Sequence, residues 1–252
     1  MSLKDSLEEF NKPLKVLTLD IETSPAIVYA WGIRDQHISV NQIVEPSRVL
    51  CWAGKWAGSE KVEFWSEHHH SREEMVRAAW VALDEADIVV GYNHISFDIP
   101  HLQREFVMAG YAPPSPWQDV DLFHTVRRRF KFMSSSLGFV TDSLGMDTKH
   151  DAGGMETWRK VLAGDKAAWS HFKDYNIQDV QVTEALAVYL RAWLKLPHRG
   201  LWSGDMSACY ACGATKLTVE GINRTKTQAY LRLRCECGSV NRQLSNGETR
   251  QA

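Results

Sequence analysis

A chain of 252 residues, 44% hydrophobic and 24% charged, is long enough for one sizeable core or a core with an appendage, and its balance is that of an ordinary globular protein. The net charge of −2 argues against a generally basic nucleic-acid binder, and no apolar run approaches the ~18 residues of a membrane span. Met1 to Lys15 is charged and has no apolar stretch of its own, so no signal peptide is expected and the chain reads as cytoplasmic.

Residues 1–13 read as a loose lead-in ending at Pro13. Val16–Thr23 is apolar and β-branched, the pattern of a buried central strand, yet it contains Asp20 and Glu22. Residues two apart on a strand share a face, so the two carboxylates project together. Each loses hydration worth several kcal/mol unless something positive replaces it. On this stretch alone two readings stand: a metal-binding pair, or a strand end facing water before the turn Thr23-Ser24-Pro25.

Ala26–Gly32 and Arg48–Trp56 are predicted strands, with Val62–Trp65 an edge strand and Cys51 a core residue. Ser71 and Glu74 form a capping box for a helix ending near Asp87, and His68–His70 before it reads as a solvated loop. Ile88–Gly91 is a short buried strand. Gly91 and Asn93 supply a tight turn, and Asp98 opens a helix running to about Ala109 with Pro100 in its first turn. Binding sites gather at such C-terminal strand ends in α/β sheets.

Asp119–Phe123 is the last predicted strand of this sheet. Arg127, Arg128 and Arg129, interleaved downstream with Phe130 and Phe132, are either contacts to nucleic-acid phosphates or a solvated helix face. Two short helices, 135–145 and 154–163, flank the turn Gly153-Gly154. A long helix from Ala167 to Leu194 then places Tyr175 and Asp179 on one face.

Asp20-Ile21-Glu22-Thr23, Asn93 with Phe97-Asp98, and Tyr175-x-x-x-Asp179 follow one another in an order that resembles the DEDD superfamily of 3′→5′ exonucleases, which includes polymerase proofreading domains. The third motif matches the tyrosine (DEDDy) subclass; the position five residues before the last acid, where the other subclass has histidine, is Asp174. The resemblance spans roughly residues 14–195 and, with the cysteine tail, is similar to exonucleases carried by bacteriophages, for which the compartment would be the host cytoplasm. It implies an α/β, ribonuclease-H-like fold with a mixed β-sheet flanked by helices. It also implies hydrolysis of single-stranded nucleic acid, DNA favoured over RNA, with two Mg²⁺ or Mn²⁺ held by Asp20, Glu22, Asp98 and Asp179. Tyr175 would orient the attacking water, and Asn93 and Phe97 would touch the strand. Oxygen ligands without Cys or His suit hard cations. Two rivals remain: a ribonuclease-H-like endonuclease, and an inactive nucleic-acid-binding or adaptor protein. A polymerase or another replication or repair protein is the expected partner.

Four of the five cysteines lie in the last fifth of the chain, which favours metal over disulfides in a reducing compartment. Cys209-x₂-Cys212-Gly and Cys235-x-Cys237-Gly are predicted to hold one structural Zn²⁺, the second pair tighter than usual. Between them, 216–220 and 228–234 read as a hairpin, so residues 1–204 would form the exonuclease domain and 205–252 a zinc ribbon and flexible tail. The ribbon region carries seven Lys/Arg against four acids. Arg232 and Arg234, with Arg224 and Lys226, suit a grip on single strands with Tyr210 and Tyr230 for stacking, and protein docking explains them too. The last ten residues are expected to be disordered.

Overall fold

Val16–Thr23 forms strand β1 at the centre of a five-stranded sheet. The structure, a computed structural model, describes residues 13–146, 153–244 and 247–252; the lead-in expected before Pro13 lies outside them. Alternation along β1 sends Leu17, Leu19 and Ile21 into a core with Met75, Ala79, Leu83, Leu102 and Phe106, which leaves Thr18, Asp20 and Glu22 on the opposite face.

In chain order, β1 is followed by β2 (Ile27–Val28), β3 (Ile43–Glu45), β4 (Val49–Trp56), β5 (Val62–Ser66) and α1 (Arg72–Glu85). Then come β6 (Ile88–Gly91), α2 (Asp98–Met108), β7 (Gln118–Asp121), α3 (Leu122–Arg129), α4 (Leu137–Ser143), α5 (Gly154–Leu162) and α6 (Lys166–Tyr189). The sheet order is β5-β4-β1-β6-β7, with β4 antiparallel to β1 and to β5, and β6 and β7 parallel to β1's direction. Helices α1 and α2 cover one face. Helix α6 covers the other, where Leu186 joins Val90 and Val120 in one cluster and Phe172 joins Leu50 and Cys51 in another. This is the mixed sheet flanked by helices that the sequence implies.

Ser71 caps α1 as expected, accepting from the Glu74 amide while Glu74 reaches back. Elsewhere the boundaries move. The strand expected over 26–32 shrinks to β2, which pairs only with β3 in a separate ribbon; Tyr29, Trp31 and Ile33 point into solvent, Trp31 and Ile33 at 99% exposure. Apolar alternation there reflects no buried face. The last sheet strand stops at Asp121, because that side chain accepts from the His124 amide and so caps α3, turning Leu122 and Phe123 into helix. The long helix ends at Tyr189, and a 3₁₀ turn over Arg191–Trp193 replaces its expected last turn.

After the short α7 (Gly200–Ser203) come β8 (Leu217–Arg224), β9 (Ala229–Cys235), β10 (Val240–Gln243) and β11 (Thr249–Gln251), which form a four-stranded antiparallel sheet in the order β11-β10-β9-β8. The expected hairpin is its β8–β9 half. The tail expected to be disordered instead supplies β11, whose Thr249 is fully buried and donates its amide to the Met206 carbonyl. Among the described residues no helix is long and apolar enough to cross a membrane.

Candidate active site and cysteine cluster

Beyond Thr18, β1 loses its neighbour on one side. Its parallel pairing with β6 covers only Val16–Thr18, because the chain leaves β6 at Gly91 and turns through Asn93, at a φ of 66°. A Cβ on Gly91 would lie 2.7 Å from the His94 Cβ, so this turn closes only with glycine. The Ile21 amide, deprived of a strand partner, donates instead to Asp98 Oδ1 at 2.9 Å. Asp98 thus sits buried at the N-terminus of α2 and directly beside the exposed flank of β1.

Helix α6 crosses this flank and brings Asp179 to the pair on β1. One carboxylate oxygen from each of Asp20, Glu22 and Asp179 lies within 4.8 Å of the others. Asp98 stands outside this trio, although its charge bears on Asp20 and Glu22. Burial first, then the neighbouring carboxylates Asp98, Glu22 and Asp179, hold the Asp20 acid well above the usual range. Burial and then Asp179 push Glu22 up to about 8. Asp98 is raised to about 6 by burial, with the Ile21 amide pulling the other way. Such a cluster is short of positive charge. Oxygen ligands at this spacing fit hard divalent cations, which would relieve both the repulsion and the lost hydration.

Tyr175 hydrogen-bonds Asp179, and burial followed by the Asp179 and Glu22 charges raises its phenol far above the ordinary tyrosine range. It stays a donor at any physiological pH. Asn176, the next residue, was not singled out from the sequence. It is fully buried, donates through Nδ2 to Asp20 Oδ2 at 2.7 Å and accepts at Oδ1 from the Cys51 thiol at 3.7 Å. Burial, then Glu22 and Asp20, keeps that thiol protonated, so Cys51 braces the site as well as filling the core. A signal for Asn176 existed: it interrupts the buried stripe Phe172, Val180, Thr183, Leu186 with an amide, and a buried amide must find partners.

The remaining sequence-derived candidates are spread around this centre. Asn93 is half-buried in the turn before Asp98, and Phe97 is 39% exposed at the start of α2, its ring 4.5 Å from that of His101. Arg127, Arg128 and Arg129 are exposed in the last turn of α3, and Arg127 lies over the Phe123 ring at 5.5 Å. His68–His70 do not converge on one point; His68 stacks on Trp169 and His70 meets Trp65.

In the C-terminal sheet the four cysteine sulfurs also lie within 4.8 Å of one another, with Cys209–Cys237 at 3.8 Å and Cys212–Cys235 at 3.5 Å. Zn–S bonds of about 2.3 Å in a tetrahedron separate sulfurs by roughly 3.8 Å, so the cluster fits a small zinc site. Two glycine-closed turns build it. The Gly213 amide donates to the Cys209 carbonyl and the Gly238 amide to the Cys235 carbonyl, each glycine at positive φ. The shorter Cys-x-Cys spacing is closed by a turn one residue tighter, with glycine again at positive φ. Buried Asn241 accepts from the Tyr210 amide and donates to Cys209 Sγ, a support the sequence did not reveal. Burial opposes ionisation of Cys237, yet hydrogen bonds from Ser239 bring its thiol down to about 7.

One expectation for this region fails, and another is qualified. Tyr210 is 2% exposed and buried among the cysteines, so it offers no stacking face. Arg232 and Arg234 both engage Glu220, at 3.5 and 2.9 Å, which takes up part of the charge assigned to gripping phosphates. Tyr230 is covered on one side by Arg242 at 4.9 Å.

Residues 47–191 match a family model described as RNase_H superfamily, a span that includes Asp98, Tyr175 and Asp179 and begins after β1. No curated protein matches the chain. Among solved structures, the family B DNA polymerase from the hyperthermophilic archaeon Pyrobaculum calidifontis is similar over 71% of this chain and 25% of its own, at a TM-score of 0.53 and 22% identity. At that identity the likeness concerns the fold, and this chain spans about a quarter of the polymerase's length.

Proposed function

The chain belongs to the RNase H superfamily, and from that premise we propose that it is a metal-dependent 3′→5′ exonuclease of the DEDDy type acting on single-stranded nucleic acid, DNA in preference to RNA. The observation that carries the proposal is the convergence of Asp20, Glu22 and Asp179 from two separate elements, with Tyr175 bonded to Asp179 and Asp98 alongside. The motif order that resembles DEDD exonucleases, proofreading domains among them, and the likeness to part of a DNA polymerase support the same reading.

In this reading Asp20, Glu22 and Asp179 would hold one Mg²⁺ or Mn²⁺, and Asp20 and Asp98 would help hold a second. Such a pair supplies charge stabilisation for both the attacking and the leaving oxygen of an in-line displacement at phosphorus. The chain's own residues set the geometry. Asn176 holds Asp20 through its Oδ2, which restrains the orientation of that carboxylate. Tyr175 keeps its proton and therefore positions water by hydrogen bonding; it does not act as the base. We further propose that residues 205–252 form a zinc ribbon held by Cys209, Cys212, Cys235 and Cys237, distinct from an exonuclease domain over 1–204.

The test is digestion of 5′-labelled single-stranded DNA and RNA of one sequence with Mg²⁺, Mn²⁺ or no metal, beside Asp20→Ala. The expected result is a metal-dependent ladder shortening from the 3′ end, stronger on DNA, lost in the variant and blocked by a 3′-terminal modification. Cleavage of the 3′-blocked strand would make the enzyme an endonuclease. No cleavage of either strand would leave a binding protein.

A further inference from the structure

A cavity of about 180 Å³ opens beside β7, the edge strand of the main sheet. Asp119 and Asp121 line it, but both are already engaged. Asp121 is buried and accepts from the amides of Asn93, Ile95 and His124 at 3.0, 3.3 and 3.3 Å. Asp119 accepts from His94 Nε2 at 3.0 Å and from the Trp117 indole at 2.8 Å. The same cavity is also lined by Arg128, Arg129, Lys195 and His124. None of the three cations forms an ion pair with a described residue, in contrast to Arg48, Arg72 and Arg234, each of which meets a glutamate. Three cations and an imidazole around one open cavity, with Asp121 held by three amides and Asp119 Oδ1 held by His94 and Trp117, suit a multiply charged oxyanion.

Its position relates it to the acid cluster. Ile95 lines the cavity and belongs to the turn that delivers Asp98, and Asp121 holds that turn through two of its amides. Strand β7 is two strands from β1, or roughly 10 Å at the usual spacing. A strand of nucleic acid whose end reaches Asp20 and Asp179 and which runs across the sheet toward β7 would bring another backbone phosphate to this cavity. We propose that Arg128, Arg129 and Lys195 form an anchoring pocket for an internal backbone phosphate of the substrate strand, a few nucleotides from the end held at the acids. The inference rests on the nuclease reading for its substrate. It separates Arg128 and Arg129 from Arg127, which faces Phe123, and adds Lys195, which no motif indicates.

The experiment measures fluorescence anisotropy of a labelled single-stranded 12-mer without added divalent metal, so that binding is read apart from hydrolysis, between 50 and 200 mM salt. Arg128→Gln with Lys195→Gln should weaken binding about tenfold at low salt and flatten the log–log salt slope by about 1.4, from two contacts at roughly 0.7 each. Lys195→Arg, which keeps the charge, should keep the slope. These side chains are exposed, so the variants keep the fold. Unchanged affinity and slope in the double variant would overturn the proposal. Titration with thymidine 5′-monophosphate and with inorganic phosphate supplies the other arm: binding of either that the double variant loses, with oligonucleotide affinity unaltered, assigns the cavity to a free phosphate and overturns the anchoring role. If the double variant loses the expected slope but the wild type cleaves nothing, the pocket stands and the nuclease reading falls. Cleavage with an unaltered slope does the reverse.

Discussion

The acid cluster and the cysteine cluster each crowd like ligands within 4.8 Å, but they are held together by different means. Asp20 and Glu22 ride on a strand whose other face is buried with Leu17, Leu19 and Ile21, and Asp179 rides on a 24-residue helix that packs along the same sheet. Hydrophobic burial sets these acids in place and works against their repulsion. The cysteine sheet has little core beyond the cluster itself: Cys209, Tyr210, Ala211 and Cys235 are its buried centre, while most of β8 is exposed. One site is positioned by the hydrophobic core around it; the other, with so little core, would depend on a bound metal in the proposed zinc reading.

The sharpest way to break that comparison is to strip zinc. Chelation, or Cys212→Ser, should abolish hydrogen-exchange protection across β8–β11 and leave β1, β4 and α6 protected. Retained protection in β8–β11 would show that this sheet folds without metal and would undo the contrast. Next in size, Asp20→Asn or Asp179→Asn should reduce hydrolysis by about 10³-fold or more, from the loss of several kcal/mol of charge stabilisation. The same changes should raise the melting temperature of the metal-free chain, by about 2–4 °C for each kcal/mol of relieved repulsion. A melting temperature that falls would mean that the acids are not repelling one another.

Asn176→Ala tests the brace. It removes the amide that holds Asp20, so activity or metal affinity should fall about 10–100-fold, the usual cost of losing such a support. Activity equal to wild type would free Asp20 from dependence on Asn176. The smallest expected effect is on pH. Glu22 titrates at about 8 in the folded chain and at ~4.3 when unfolded, so between those values the folded state keeps a proton that the unfolded state releases. Stability conferred by that proton is complete below pH ~4.3 and lost as pH rises through about 8. Thermal melts of metal-free protein from pH 5 to 9 should show this decline, Glu22→Gln should make it shallower, with Asp20 and Asp98 supplying the remainder, and added Mn²⁺ should flatten it. An equally steep decline in Glu22→Gln would place its origin elsewhere.

Where local chemistry is decisive, the sequence was readable. The Ser71–Glu74 box starts α1, Gly91 closes the turn before Asp98, and Gly213 and Gly238 close the cysteine turns, because each depends on atoms a few residues apart. It misled where a pattern lacked a partner. Tyr29, Trp31 and Ile33 alternate like a strand but have no sheet to cover them, and the polar 243–252 segment looked unstructured although the buried Thr249 finds partners far back in the chain, at Met206 and His198.

By itself, then, the sequence determined the strand carrying Asp20 and Glu22, the junction carrying Asp98, the helix carrying Tyr175 and Asp179, and the two cysteine pairs. Periodicity and turn chemistry act over short range and are written in consecutive residues. Only the tertiary structure decided that Asp98 spends an oxygen on the Ile21 amide, that Asn176 holds Asp20 across 156 positions of chain, and that Lys195 joins Arg128 beside β7. Those contacts depend on which buried groups are left without a partner once the sheet has formed, and that shortage exists only in three dimensions.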